Sequence, residues 1–296
     1  MRLRETKGDA VSYGVINALV VFLLAMVLYP IIYVISCSVS SPDLVASGKI
    51  LFFPRGVNLM GYRRVFQDPA IMSGYANTLF YTVAGTAINL AVTVPAGYAM
   101  ARKGLPGGRV ITLLFLFTMY FSGGMVPLFM LIKNLRLYNT RWALLLLGAF
   151  SMYNCIICRS FFASVPRELT EAAEIDGCNP IRAFVQVVLP VSQALLGVMT
   201  LYFAVGHWNS YFNAMMYTSD QAIQPLQLVL RKILVLEQEQ TAMMQAASDE
   251  YLAEQSKLRE LIKYSVIVVS SLPVMVLYPF LQRYFVKGVM IGSVKG

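Results

Sequence analysis

Residues 75–101 read YANTLFYTVAGTAINLAVTVPAGYAMA, without one formally charged side chain, and the run exceeds the roughly 20 residues a helix needs to cross a bilayer core. A charged side chain at mid-bilayer costs about 2.5 to 3.5 kcal/mol on the insertion scale, so charge-free runs locate spans. Working outward, similar runs extend over Tyr13–Ser36, Val110–Ile132, Trp142–Cys158, Pro190–Phe212 and Tyr264–Gln282. The chain therefore reads as an all-α, polytopic membrane protein with about six transmembrane helices. The fourth run is the shortest, closed by Arg141 and Arg159, whose long side chains can snorkel to the interfaces. The fifth has no sharp register, because no formal charge occurs from Ala183 to Ser219.

Composition agrees. Of the 296 residues, 57% are hydrophobic and 13% charged, and mean hydropathy is +0.63. Soluble domains carry about 25% charged residues. The loop Arg102–Arg109 and the C-terminal Arg283, Lys287 and Lys295 carry cations without acids, which by the positive-inside rule makes their side cytoplasmic. The expected organisation is a cytoplasmic N-terminus (1–12), a transmembrane domain (13–286) and a cytoplasmic C-terminus (287–296). Within it lie a cytoplasmic loop at 164–189 and an extracytoplasmic loop at 213–263. The 24 Lys and Arg divide evenly between the two sides on this assignment, but the rule weighs short loops near span ends above long ones. The net charge of +9 is thus mostly a topology signal, and no basic stripe interleaved with aromatics points to nucleic acid.

Arg2, Arg4 and Lys7 precede an apolar core too long for a signal peptide, so the first helix reads as uncleaved. Cys155 and Cys158 have C-x-x-C spacing without a second pair, and read as small buried thiols. Thr78, Gly85, Thr86 and Gly97 along the second span suit close helix packing in lipid, while Asn77 and Asn89 must face protein or water. Ser122-Gly123-Gly124 with Pro127 marks a kink or discontinuity in the third span. A short helix is expected near Met60–Phe66, an interfacial helix over Pro225–Leu236, and a solvated acidic helix over Glu237–Glu260.

The most specific stretch is polar. Ser164 to Gly177 writes a helix start, with Ser164 or Val165 as cap, Pro166 at the first helical position and acids in the early turns. Leu169, Ala172, Ala173 and Asp176 share one mostly small face, Gly177 can end the helix in the left-handed conformation, and Asn179-Pro180 starts another. Leu189-Pro190 turns the chain into the fifth span. Such a knob, exposing two alanines, fits a groove on another protein.

Glu171-Ala172-Ala173, three residues, Gly177, nine residues, Val187, one residue and Leu189-Pro190 resembles the E-A-A-x3-G-x9-I-x-L-P signature of membrane subunits of bacterial ABC importers, with Val for Ile. Asp176, Phe184 and Trp208-Asn209 look like its carbohydrate-uptake, maltose-type branch. Ser122-Gly123-Gly124 through Asn139-Thr140 and Gln224 to Gln227 resemble its oligosaccharide subgroup. The resemblance implies the type I ABC importer permease fold, and that Glu171, Ala172, Ala173, Asp176, Gly177, Leu189 and Pro190 form the helix coupled to a cytoplasmic ATPase. It further implies two ATP-binding subunits holding ATP and Mg, a second homologous permease subunit, an extracytoplasmic solute-binding protein, a carbohydrate substrate and a place in the bacterial cytoplasmic membrane. No cofactor is expected on this chain, which lacks a G-x-x-x-x-G-K-[ST] phosphate loop.

Asn77, Trp208, Asn209, Tyr211 and Asn213 combine rings and amides that suit a sugar pathway; an interfacial aromatic belt is the plainer reading of Trp208 and Tyr211. The lone His207 builds neither a metal site nor a catalytic pair, and no catalytic residue is expected. The rival function is a passive channel or membrane receptor, which would need no cytoplasmic docking helix.

Overall fold

Helices α1 (Lys7–Ser38), α2 (Pro42–Ala46), α3 (Met60–Gln67) and α4 (Pro69–Ala101) open the chain in a computed structural model that describes residues 7–102, 104–233, 261–276 and 278–279. There follow α5 (Gly108–Tyr120), α6 (Met125–Asn134), α7 (Arg141–Leu146), α8 (Met152–Ser164), α9 (Arg167–Ile175) and α10 (Pro180–Ala183). A π-helical turn (Phe184–Val188), α11 (Leu189–Val191), α12 (Gln193–Trp208), α13 (Phe212–Tyr217), a short helix at 226–233 and α14 (Leu261–Val276) follow. No strand occurs among the described residues, so the all-α expectation holds. Two helices are long and apolar enough to span a membrane alone, Val11–Ser38 and Pro69–Ala101, or four if each of two bent pairs is one span.

The first unit comprises α1 to α3 with 261–272. Helix α1 exposes every side chain from Val11 to Ile32, as a lipid- or partner-facing rod must. Only its end is packed. Cys37, Val45, Ile50 and Leu261 form a small core there, and Ser38 Oγ lies 2.7 Å from Tyr62 Oη. Gly61 in α3 lets the backbone meet α14, since a Cβ there would overlap Ser265 Oγ.

The second unit is built on α4, whose 33 residues give a rod of about 50 Å. Beside Ile71, Tyr81 and Val94, its buried stripe is polar or small: Gly74, Asn77, Thr78, Gly85, Thr86, Asn89, Thr93 and Gly97. Its three buried glycines are close approaches to other segments. A Cβ on Gly97 would overlap that of Cys158 in α8, one on Gly85 would strike the His207 ring in α12, and one on Gly74 would lie 3.1 Å from Leu226 Cα. Small residues allow such approaches, and without them the helices could not pack in lipid. The main apolar core joins Val94, Cys158, Phe162, Phe184, Leu195 and Met199, with Tyr98 stacked on Phe184 at 4.7 Å.

Discontinuities fall where backbone chemistry allows. Helices α5 and α6 meet at 111° across Phe121–Gly124, where Gly124 takes φ +89°, as the Gly pair predicts. The fourth segment departs from expectation. It is not one helix over Trp142–Cys158 but α7 and α8, interrupted at 147–151, and α8 runs past Arg159 to Ser164. The Asn89 amide donates to the Gly148 carbonyl inside the gap, supplying the partner a continuous helix would have supplied.

The 226–231 stretch also differs from the interfacial helix expected at Pro225–Leu236. Leu226, Leu228, Val229 and Leu230 are buried, and the Leu226 N–H donates to Thr78 Oγ1 at 2.8 Å. Its apolar run is spent on α4. The acidic stretch Glu237–Glu260 and the C-terminal 287–296 lie outside the described residues.

Candidate functional site

Helix α9 begins after Pro166, which is the N-cap and not the first helical residue, one position from expectation. Glu168 sits in its first turn, where a carboxylate complements the exposed N–H groups. The far end is fully specified. The Gly177 N–H donates to Glu174 O at 3.1 Å and the Cys178 N–H to Ala173 O at 2.9 Å, the paired bonds of a Schellman ending. That ending needs a left-handed residue, and Gly177 has φ +78°. Asn179 Oδ1 then accepts from the Arg182 N–H at 2.8 Å, and Pro180 opens α10.

The turn into α12 comes two residues after Leu189-Pro190. Pro190 lacks the N–H that would continue the ladder, and the chain passes through the π-helical turn before bending 84° between Pro180–Val191 and Gln193–Trp208. Ser192 Oγ donates to Val188 O at 2.7 Å within the corner.

Of the residues expected in this knob, Glu171, Ala172, Asp176, Gly177 and Pro190 are exposed and Leu189 is half-buried. Ala173 is not on the open face. It is 6% exposed, because α9 folds back on the following turn and only a small side chain fits between them. Sequence reasoning missed two larger groups: Ile175 and Ile181 stand 86% and 74% exposed on either side of the Gly177 turn. Both are apolar side chains at a polar loop, a composition that marks protein contact when clustered.

One ion pair ties the knob to the bundle. Arg102, just past the end of α4, meets Glu174 at 3.2 Å. The basic 102–109 loop and the 164–189 loop therefore share one end. The opposite end is fastened independently. Asn77 donates to Ala222 O and Gln224 O at 2.7 and 3.1 Å and accepts from Arg141, while Tyr81 donates to Ile223 O at 2.7 Å. Asn139 Oδ1 accepts the N–H groups of Ser219 and Asp220. Asn77 and Arg102 are separated by about 37 Å of helix, which puts the two ends on opposite faces of a bilayer core.

The pathway nominees do not form one cluster. Asn77 is buried and consumed by these bonds, and Trp208 is 4% exposed with Tyr75 edge-on at 5.7 Å. Asn209 is exposed at the end of α12, Tyr211 is exposed beneath the Arg231 guanidinium at 5.3 Å, and Asn213 is half-buried.

Residues 70–290 match the family described as binding-protein-dependent transport system inner membrane component. The chain belongs to this family. Protein LplC of Bacillus subtilis is 38% identical over 272 residues, covering 92% of this chain and 90% of that protein. The polygalacturonan/rhamnogalacturonan transport system permease protein YtcP of the same organism is 38% identical over 288 residues, covering 97% and 98%. Among solved structures, a bacterial ABC transporter involved in the import of the acidic polysaccharide alginate matches with a TM-score of 0.85 and 33% identity, over 96% of this chain and 99% of that one. The all-α helical arrangement is thus the type I ABC importer permease fold, and the chain is a permease of such an importer.

Proposed function

We propose that this permease carries an oligosaccharide across the bacterial cytoplasmic membrane as one half of a two-permease channel, moving between inward- and outward-open states under the force of two ATP-binding subunits. The observation that carries the reading is the α9–Gly177–α10 corner. It is closed by its own backbone bonds, presents Glu171, Ala172, Ile175 and Ile181 outward, and is tied to the end of α4 by Arg102 and Glu174. A push on this corner reaches the helix that contacts α8 and α12. Glu171 faces a cation on the ATPase, Ala172 and the two isoleucines fill its cleft, and Gly177 sets the angle. Asp176 and Leu189-Pro190 hold the corner's two ends.

ATP and Mg belong to the ATPase partners, and a solute-binding protein delivers sugar on the other face. Both termini and the 164–189 loop are cytoplasmic, with 213–263 outside. YtcP is named for polygalacturonan/rhamnogalacturonan transport and the solved transporter for import of the acidic polysaccharide alginate, which supports a saccharide cargo. At the outer end Asn209, Tyr211 and Asn213 offer amides and a ring face to it, and Asn77 and Trp208 set that surface from behind.

The test is uptake by cells carrying Glu171→Lys or Gly177→Asp. Both variants should remain in the membrane and lose transport, Gly177→Asp because a side chain is strained at φ +78°. Unimpaired uptake by both would overturn the proposal and favour a passive pore.

A further inference from the structure

Three arginines converge on a cavity of about 370 Å³ at the same end of the bundle as the α9 corner. Arg102 follows α4, Arg109 begins α5 and Arg159 lies in α8, each directly beyond a charge-free run. They therefore sit at one depth, where hydrocarbon gives way to headgroups. No acid is among the described lining residues. Arg102 is shared with Glu174, whereas Arg109 and Arg159 have no acid partner among the described residues. One further feature suits an anion: helix α5 starts from Gly107 at φ +68° with no side chain capping its first N–H groups.

The apolar lining identifies the source of that anion. Met100, Leu105 and Leu113 complete the wall, and Leu113 leads into Leu114 and Phe117, which α5 exposes at more than half their area. A soluble phosphate would use the arginines and leave that track empty. A lipid would use both.

We infer that this cavity is a binding site for the phosphate of an anionic lipid headgroup, held by Arg109 and Arg159, with an acyl chain laid along Leu113, Leu114 and Phe117. Forked guanidinium contacts to phosphate oxygens suit arginine better than lysine. The site does not depend on the transport reading, because its residues and the membrane depth come from the bundle alone.

The test is native mass spectrometry of the full-length chain titrated with phosphatidylglycerol, with phosphatidylcholine and with inorganic phosphate. Wild type should retain phosphatidylglycerol in preference to phosphatidylcholine, and millimolar phosphate should leave the lipid bound. With each surface cation contributing a few-fold, Arg109→Gln/Arg159→Gln should weaken retention by about thirtyfold. Arg109→Gln alone changes an exposed side chain that the fold does not need, and should lose about fivefold even if the double variant fails to fold. Equal retention of the two lipids, or wild-type retention by Arg109→Gln, would overturn the site. Displacement by phosphate would overturn the lipid as its occupant.

Discussion

Replacing Asn89 with leucine removes a side chain that joins three segments of the bundle. Asn89 is 1% exposed; its amide donates to Gly148 O in the gap between α7 and α8, and its Oδ1 lies 2.6 Å from His207 Nε2 in α12. An amide oxygen only accepts, so Nε2 carries the proton. Leucine would fill the volume but strand the Gly148 carbonyl and the imidazole N–H. Interhelical hydrogen bonds in membrane bundles average about 0.6 kcal/mol, which sets a floor near 1 kcal/mol for the pair. A buried group left unpaired costs about 1 to 3 kcal/mol in water-soluble proteins, and Gly148 has no helical neighbour to turn to. We therefore expect a loss of about 2 kcal/mol in reversible unfolding of the full-length chain in detergent micelles. In a double-mutant cycle with His207→Leu, the two sites should couple by at least about 0.6 kcal/mol. Strict additivity, or an Asn89→Leu protein as stable as wild type, would refute the idea that this amide holds the broken segment to α12.

Other outcomes follow from the same geometry. Gly97→Ala should destabilise by about 1 to 3 kcal/mol in the same unfolding assay, because the new Cβ meets Cys158 while Arg159 N and Cys155 O stand at 3.2 Å and backbone cannot step aside. Gly85→Ala should cost less, since the group it meets is a side-chain ring. Tyr81→Phe leaves Ile223 O without its donor, and should speed amide exchange across 221–226 with about 1 kcal/mol of local stability lost. Glu174→Ala should change global stability by no more than about 0.5 kcal/mol, because both partners of its ion pair are near half exposed. A larger change would show that the pair is structural and not simply a tether for the α9 corner.

How much was legible depends on whether the signal was local. The C-terminal end of α4 could be read because Arg102 closes the charge-free run at Ala101, whereas the helix starts at Pro69 and not at the expected Tyr75; the α5–α6 break could be read because Gly123 and Gly124 interrupt the helix ahead of Pro127. The α9 ending was legible for a similar reason: Gly177 is the only residue there that takes φ +78° without strain. The break at 147–151 was not, because its stabilising partner is Asn89, far away in sequence, and nothing between Trp142 and Cys158 announces a gap except Gly148. The burial of 226–231 was hidden likewise. An apolar helix with adjacent cations reads as interfacial until Thr78 and Gly74 are known to lie beneath it. The residues of the α9 corner stood out by their spacing, yet which alanine faces out required the fold-back of α9, and so did the exposure of Ile175 and Ile181.

The polar stripe of α4 then has one physical explanation in two parts. Its glycines lie where another segment comes closest, and its amides lie where another segment is broken or looped: Asn89 against the 147–151 gap, Asn77 against the 222–224 loop. Backbone that leaves regular helix inside a membrane must find partners from elsewhere, and one long continuous helix can hold them for several segments. The same design leaves the hydroxyls of Thr82, Thr86 and Thr93 buried with no partner among the described residues. If α4 changes neighbours in the alternation proposed above, these hydroxyls are donors available to the second conformation. Thr86→Val and Thr93→Val should therefore leave the stability of this state unchanged or slightly raised, while slowing uptake. Equal losses of stability and uptake would show that the hydroxyls serve this state alone.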